Sequence, residues 1–93
     1  MIQSYKDRRT ERVADGTIKK GFPQDLVRRA QQMLAVMDAA HELRDLRLPP
    51  GNRLEALQGN LAGKHSLRIN DQWRIVFIWT EAGPAEVEIM DYH

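Results

Sequence analysis

Residues 65–79 read HSLRINDQWRIVFIW, and their pattern decides the architecture. Two extended runs flank Asn70-Asp71-Gln72. Before that turn, Leu67 and Ile69 fall on one face, with Ser66 and Arg68 on the other. After it, Trp73, Ile75, Phe77 and Trp79 line one face, and Arg74, Val76 and Ile78 the other. A period of two belongs to strands. Branched and aromatic side chains suit a pleated surface. Thr80–Pro84 is expected to form the next turn, and Ala85–Asp91 a further strand anchored by Val87 and Ile89. A sheet with one apolar face needs a second layer, which the rest of the chain must supply.

That layer is legible upstream. Leu26, Ala30, Met33, Met37 and Ala40 recur at steps of four and three, widened by Val27 and Leu34, which predicts a helix over 23–41 opened by Pro23. Its Met33 and Met37 read as core filling. His41 falls near its end as a capping or dipole partner. The charged run Lys6–Asp15 predicts a short helix with Val13 and Ala14 as its apolar residues, and Gly16 and Gly21 bracket an interruption. Ile2–Tyr5 reads as a short strand that needs the later sheet for pairing. Glu42–Leu46 reads as a separate helical turn. Pro49-Pro50-Gly51-Asn52 is a stop. Arg53–Leu57 is expected to be the first strand of the main sheet. The fold class that follows is α+β, an N-terminal short strand and helices packed on an antiparallel sheet.

With 93 residues, one domain spanning 1–93 is expected. Cysteine is absent, so disulfides and thiolate metal sites are excluded, which fits a reducing compartment. No apolar run is long enough for a transmembrane helix, and Met1-Ile2 leads into charged sequence, so the expected location is the cytoplasm, with no membrane partner. The net charge of +1 conceals an asymmetry. Residues 1–50 hold ten Lys/Arg against seven Asp/Glu, and residues 51–93 four against six. This excludes the strong footprint of a basic DNA-binding domain but leaves room for a local basic groove. His41, His65 and His93 are scattered, and no HExxH, calcium-loop, GxGxxG or Walker A pattern occurs, so no metal or cofactor is expected.

The end of the chain, Asp91-Tyr92-His93, is dense in groups that bear chemistry. An imidazole such as His93 exchanges protons near neutral pH. Tyr92 can orient a phosphate or stack on a base. Asp91 can orient a neighbour, though it points to the other strand face. The alternative is a frayed, solvated terminus. Arg74 is either a phosphate contact or a surface cation paired with a carboxylate. Arg68 shares its face, and Arg53 and Lys64 offer further backbone contacts. Glu55 is either a base or a solubilising carboxylate. Together these residues permit metal-independent RNA cleavage. A base activates the ribose 2′-hydroxyl, Arg74 stabilises the phosphorane-like transition state, His93 serves as acid or base, and Tyr92 orients or stacks.

The run NRLEALQGNLAGKHSLRINDQWRIVFIW, with VEIMDYH after it, carries a pattern, LxxLxGxLxGxxSxRxxxxWRI with terminal DYH. In this the chain resembles HigB toxins of the RelE-like superfamily over essentially its whole length. The resemblance implies a compact RelE-like fold and a ribosome-dependent endoribonuclease that cuts translated messenger RNA in the A site. It implies a HigA-type helix-turn-helix antitoxin as partner, with operator DNA contacted only through that antitoxin. Arg74 matches the family's arginine after tryptophan, and Asp91, Tyr92 and His93 match its functional C-terminus. The chain departs from the pattern at Glu55, where some members carry an active-site histidine, and at Gln58, where lysine is common. That departure keeps two other readings open, a non-catalytic antitoxin-binding module and an RNA-binding regulator.

Overall fold

Four strands form one antiparallel sheet in the order β1 (Glu55–Ala56), β2 (His65–Arg68), β3 (Trp73–Thr80), β4 (Gly83–Asp91). The computed structural model describes residues 1–18, 20–47 and 50–91. Two helices, α1 (Arg8–Asp15) and α2 (Gln24–Ala39), cover one face. The architecture is compact α+β, as the alternating and helical periods require.

The buried cluster joins the two layers. Ile75, Phe77, Val87, Ile89 and Leu67 from the sheet meet Val13 of α1 and Leu26, Ala30, Met33, Leu34 and Met37 of α2. Each large apolar side chain removed from water contributes about 1.5–3 kcal/mol, which is why the stripe on α2 faces the sheet. Leu46, from a 3-10 turn at Leu43–Arg47, closes the cluster. Polar ties fix the layers in register. Gln31 Nε2 donates to the Val13 carbonyl at 2.9 Å, and Arg29 Nε donates to the Ile69 carbonyl at 2.6 Å. Thr10, fully buried on α1, accepts the Ile89 amide on its hydroxyl at 3.0 Å.

Local chemistry sets the helix ends. Asp7 caps α1 by accepting the Thr10 amide at 2.9 Å, and Gly16 ends it in the left-handed region at φ 81°. The helix therefore starts at Arg8 rather than Lys6. Pro23 stands just outside α2 as its cap residue, and Ala40 turns extended, so α2 is shorter than the expected 23–41. His41 lies beyond it. Asp45 Oδ2 accepts the amides of His41 and Glu42, each at 3.0 Å, and that pair of bonds starts the 3-10 turn.

Three sheet expectations need correction. The β3–β4 hairpin loop is only Glu81-Ala82, so Gly83 and Pro84 belong to β4 and not to the turn. Gly83 has φ 132°, and a Cβ there would collide with the Met1 carbonyl. The pairing of β3 with β4 shifts by one residue between Val76 and Ile78, a bulge at which Glu86 takes φ 50°. Val87 and Ile89 keep the buried face, but Ala85 is switched to the face of its partner Ile78. The first sheet strand is two residues long instead of the five over 53–57, because Arg53 sits at φ 47° and breaks the extended backbone. Finally, Ile2–Tyr5 makes a single parallel bridge, Tyr5 to Val87, rather than a strand. Along it Gln3 N donates to the Pro84 carbonyl, Val87 N to the Ser4 carbonyl and Lys6 N to the Val87 carbonyl. This covers the outer edge of β4.

Candidate active site

The sheet face turned away from the helices carries the candidate residues. Strand register arranges them in rows, because residues directly opposite in an antiparallel pair point to the same side. One row is Arg68 on β2, Arg74 on β3 and Met90 on β4. The next row is Glu55 on β1, Ser66 on β2, Val76 on β3 and Glu88 on β4. Rows two residues apart are separated by about 6.7 Å, and neighbouring strands by about 4.8 Å. Ser66 and Val76 are 2% and 1% exposed although they lie on this face. Short side chains thus form the floor, and the longer Arg74, Glu88 and Met90 rise around it.

Arg68 and Arg74 are direct cross-strand partners, with Cβ atoms about 5 Å apart. Like charges so placed repel, and the cost is relieved by an anion. Asp71, in the β2–β3 turn, supplies part of that relief through an ion pair with Arg68. Arg68 Nε also donates to the Asn70 carbonyl at 3.2 Å. Asn70 fixes the turn, its Oδ1 accepting the amides of Gln72 and Trp73 at 2.8 and 2.9 Å. Trp73, behind Arg74 on the helix side, packs edge-on to Phe22 at 5.2 Å. Arg74 is therefore held half-buried on a strand whose alternate residues are locked in the core.

The other candidates separate into two groups. Glu55 is exposed in the row beside the arginines, two strands from Arg74. Lys64 is half-buried, one residue before β2, at the end of that strand remote from Arg68. Arg53 is exposed on the left-handed residue that precedes Leu54 and β1. These form a rim. Asp91 stands elsewhere: it is opposite Trp73, in a row of the helix-covered face, and accepts Gln72 Nε2 at 3.0 Å. Tyr92 and His93 lie outside the described residues. His65 falls on the Phe77 side of the sheet, its ring stacked at 6.2 Å from the Phe77 ring, and is not part of the arginine face. Sequence reasoning missed the Arg68–Asp71 pair, although the i, i+3 spacing across a polar turn was its signal. It also missed Glu88 and Met90, which share the face by alternation with the buried Val87 and Ile89.

Spaces of about 610, 350 and 520 Å³ are lined by other residues, none of them Arg68 or Arg74. A strand face that carries two opposed arginines suits a phosphate backbone held from outside better than a small enclosed ligand. Among the described residues, no three His, Cys, Asp or Glu side chains gather closely enough to hold a metal ion. No helix among the described residues is long and apolar enough to cross a membrane.

The fold is similar to that of a solved structure, the YoeB-YefM complex from Staphylococcus aureus. That likeness covers 100% of this chain and 95% of that one, with a TM-score of 0.64 at 19% identity, and defines the class by fold. The sequence then narrows it. A family model for the RelE-like toxin of the type II toxin-antitoxin system HigB matches residues 3–93, and the chain belongs to that family. It is 40% identical over 91 residues to Toxin HigB-1 of Vibrio cholerae serotype O1, across 98% of this chain and 86% of the relative.

Proposed function

We propose that this protein is a ribosome-dependent endoribonuclease toxin that cleaves translated messenger RNA in the A site and is neutralised by a HigA-type antitoxin. The observation that carries the reading is the Arg68–Arg74 pair, two arginines at directly opposed positions on the sheet face turned away from the helices. Family membership supports the substrate class. The ribose 2′-oxygen attacks the adjacent phosphorus in line as its proton passes to a base. The bond to O5′ breaks, and O5′ leaves with a proton from an acid, giving a cyclic phosphate and a free 5′-hydroxyl. Arg74 stabilises the charge that builds on the non-bridging oxygens. His93 is the acid–base group, with Tyr92 orienting or stacking. Glu55, in the row next to the arginines, is the candidate second proton carrier. Asp91 belongs to this set as a positioning residue, through Gln72 and the strand end that precedes Tyr92. Arg53, Lys64 and Arg68 contact ribosomal or messenger phosphates. The shallow site leaves substrate alignment to the ribosome, which supplies much of the entropic advantage. Operator DNA is reached only through the antitoxin.

A translation reaction with purified ribosomes and defined codons, with 3′ ends mapped with and without antitoxin, tests this. Cleavage by the wild type, lost in Arg74→Ala and His93→Ala proteins that still fold and bind ribosomes, supports the enzyme. Intact messenger RNA despite ribosome binding refutes it. One observation favours a second reading, a non-catalytic binding module: Arg68 is already neutralised by Asp71, and Glu55 sets a carboxylate where RNA phosphate would approach. The same experiment separates the two.

A further inference from the structure

His65 takes no part in the arginine face, and its polar groups are incompletely satisfied where it stands. Its Nδ1 is buried and has no hydrogen-bond partner. An acceptor left unmet costs less than a donor left unmet, so the neutral ring keeps its proton on Nε2. The residue sits in a row of three strands. On β3 its direct partner is Phe77, whose ring stacks on the imidazole with an interplanar angle of 25°. On β1 its direct partner is Ala56, whose methyl group is too short to cover the other side of the ring. A cavity of about 350 Å³ opens there, lined by Leu43, Arg44, Arg47, Leu54, Ala56 and His65. Leu43 and Leu54 rest half-buried on the core and give it apolar walls. Its two charged residues from the 3-10 turn are both cations. Arg44 is paired with Glu42, whereas the exposed Arg47 makes no ion pair among the described residues.

An apolar slot with a planar ring on one wall, a ring N–H and an exposed cation matches a nucleotide. An acidic side chain would satisfy Arg47 but leave the ring face bare. We propose that this cavity is a nucleotide subsite, separate from the arginine face. The base stacks on the imidazole over Ala56, Nε2–H donates to an acceptor on the base edge, and the phosphate meets Arg47. Glu55 and Ala56 are consecutive, exposed residues of the edge strand, one on each side of the sheet. An RNA strand lying on the arginines reaches the cavity by passing over that edge. A free nucleotide carries the same base and phosphate. Choosing RNA as the source rests on the proposed ribonuclease reading; the seat for a nucleotide does not.

The test is NMR titration of the full chain with a single-stranded RNA oligonucleotide and, separately, with adenosine 5′-monophosphate. RNA should shift the His65 ring and the amides of residues 43–47 and 54–56. Ala56→Leu covers the bare ring face from an exposed position. It should weaken RNA binding at these signals about fivefold or more, with thermal unfolding unchanged. Arg47→Ala should lower the slope of log affinity against log salt by about 0.7. Shifts with RNA alone assign the subsite to a strand, shifts with both probes assign it to free nucleotides as well, and either result upholds it. Cavity signals that stay still with both probes, or unchanged affinity in both variants, overturn it. So does a glutamate-rich peptide that moves them as strongly as RNA does. Cleavage on ribosomes is scored separately. Cleavage with silent cavity signals overturns the subsite alone, and cavity shifts without cleavage overturn the nuclease reading alone.

Discussion

The two faces of β3 are built from alternate residues of one eight-residue strand, yet they follow different rules. Ile75 and Phe77 face the helices and are fully buried, and each is fixed by packing. Arg74 and Ile78 face outward and stay half-buried, while Val76 between them is covered. One face holds the fold together, and the other is free to carry a like-charge pair that the fold alone does not favour. Side chains on the open face therefore tell more about function, and those on the closed face about stability.

Substitutions can break that division in order of size. Phe77→Ala should cost about 3–5 kcal/mol, a large share of the stability of so small a domain, as read by urea denaturation. Arg74→Ala should do the reverse, with a small change in the denaturation midpoint and about 10²–10³-fold slower cleavage on ribosomes. Equal losses of stability and activity in both variants would erase the distinction. Thr10→Val keeps the shape on the closed face but leaves the buried Ile89 amide without its acceptor. It should cost about 1–3 kcal/mol with cleavage per folded molecule unchanged. Asp71→Asn sharpens the comparison from the other side. It releases Arg68 from its ion pair, so affinity for a short RNA should rise severalfold at low salt, while stability moves by less than about 1 kcal/mol. The smallest effect is on pH. The amides of Glu42 and then His41 hold the Asp45 carboxyl below the usual carboxylate range. Its folded pKa is depressed, so its contribution is present at neutral pH and lost as pH falls through that lowered value. Proton titration of the His41 and Glu42 amide signals by NMR should show the 3-10 turn loosening only there, with the sheet unaffected.

The closed face was largely legible in the sequence because burial imposes a period. The alternation of Trp73, Ile75 and Phe77 and the α2 stripe through Leu26, Ala30 and Met33 needed no outside knowledge. The exceptions were single residues that left the period. Ala85 changed face at the bulge, Arg53 broke its strand, and Thr10, a polar residue on a charged helix, turned out to be wholly buried. None of these has a distinct signature, since each depends on a partner far away in the chain. The open face was legible in part. Arg68 and Arg74 could be placed on one side by parity, but their direct opposition depends on the turn length and register. The resemblance around WRI and DYH carried Asp91 into the site, whereas the register puts it opposite Trp73 on the other side of the sheet. Tyr92 and His93 fall beyond the described residues.

The parallel contact of residues 3–6 with β4 has a consequence for how the protein survives at high concentration. A long bare strand would template pairing between copies and lead toward aggregation. Here one margin of the sheet is occupied by the chain's own beginning, through the amides of Gln3, Lys6 and Val87. The opposite margin offers only Glu55 and Ala56 before Arg53 bends the backbone out of line. Cutting away the first six residues should therefore turn a well-behaved molecule into one that self-associates, before any loss of helix content is seen.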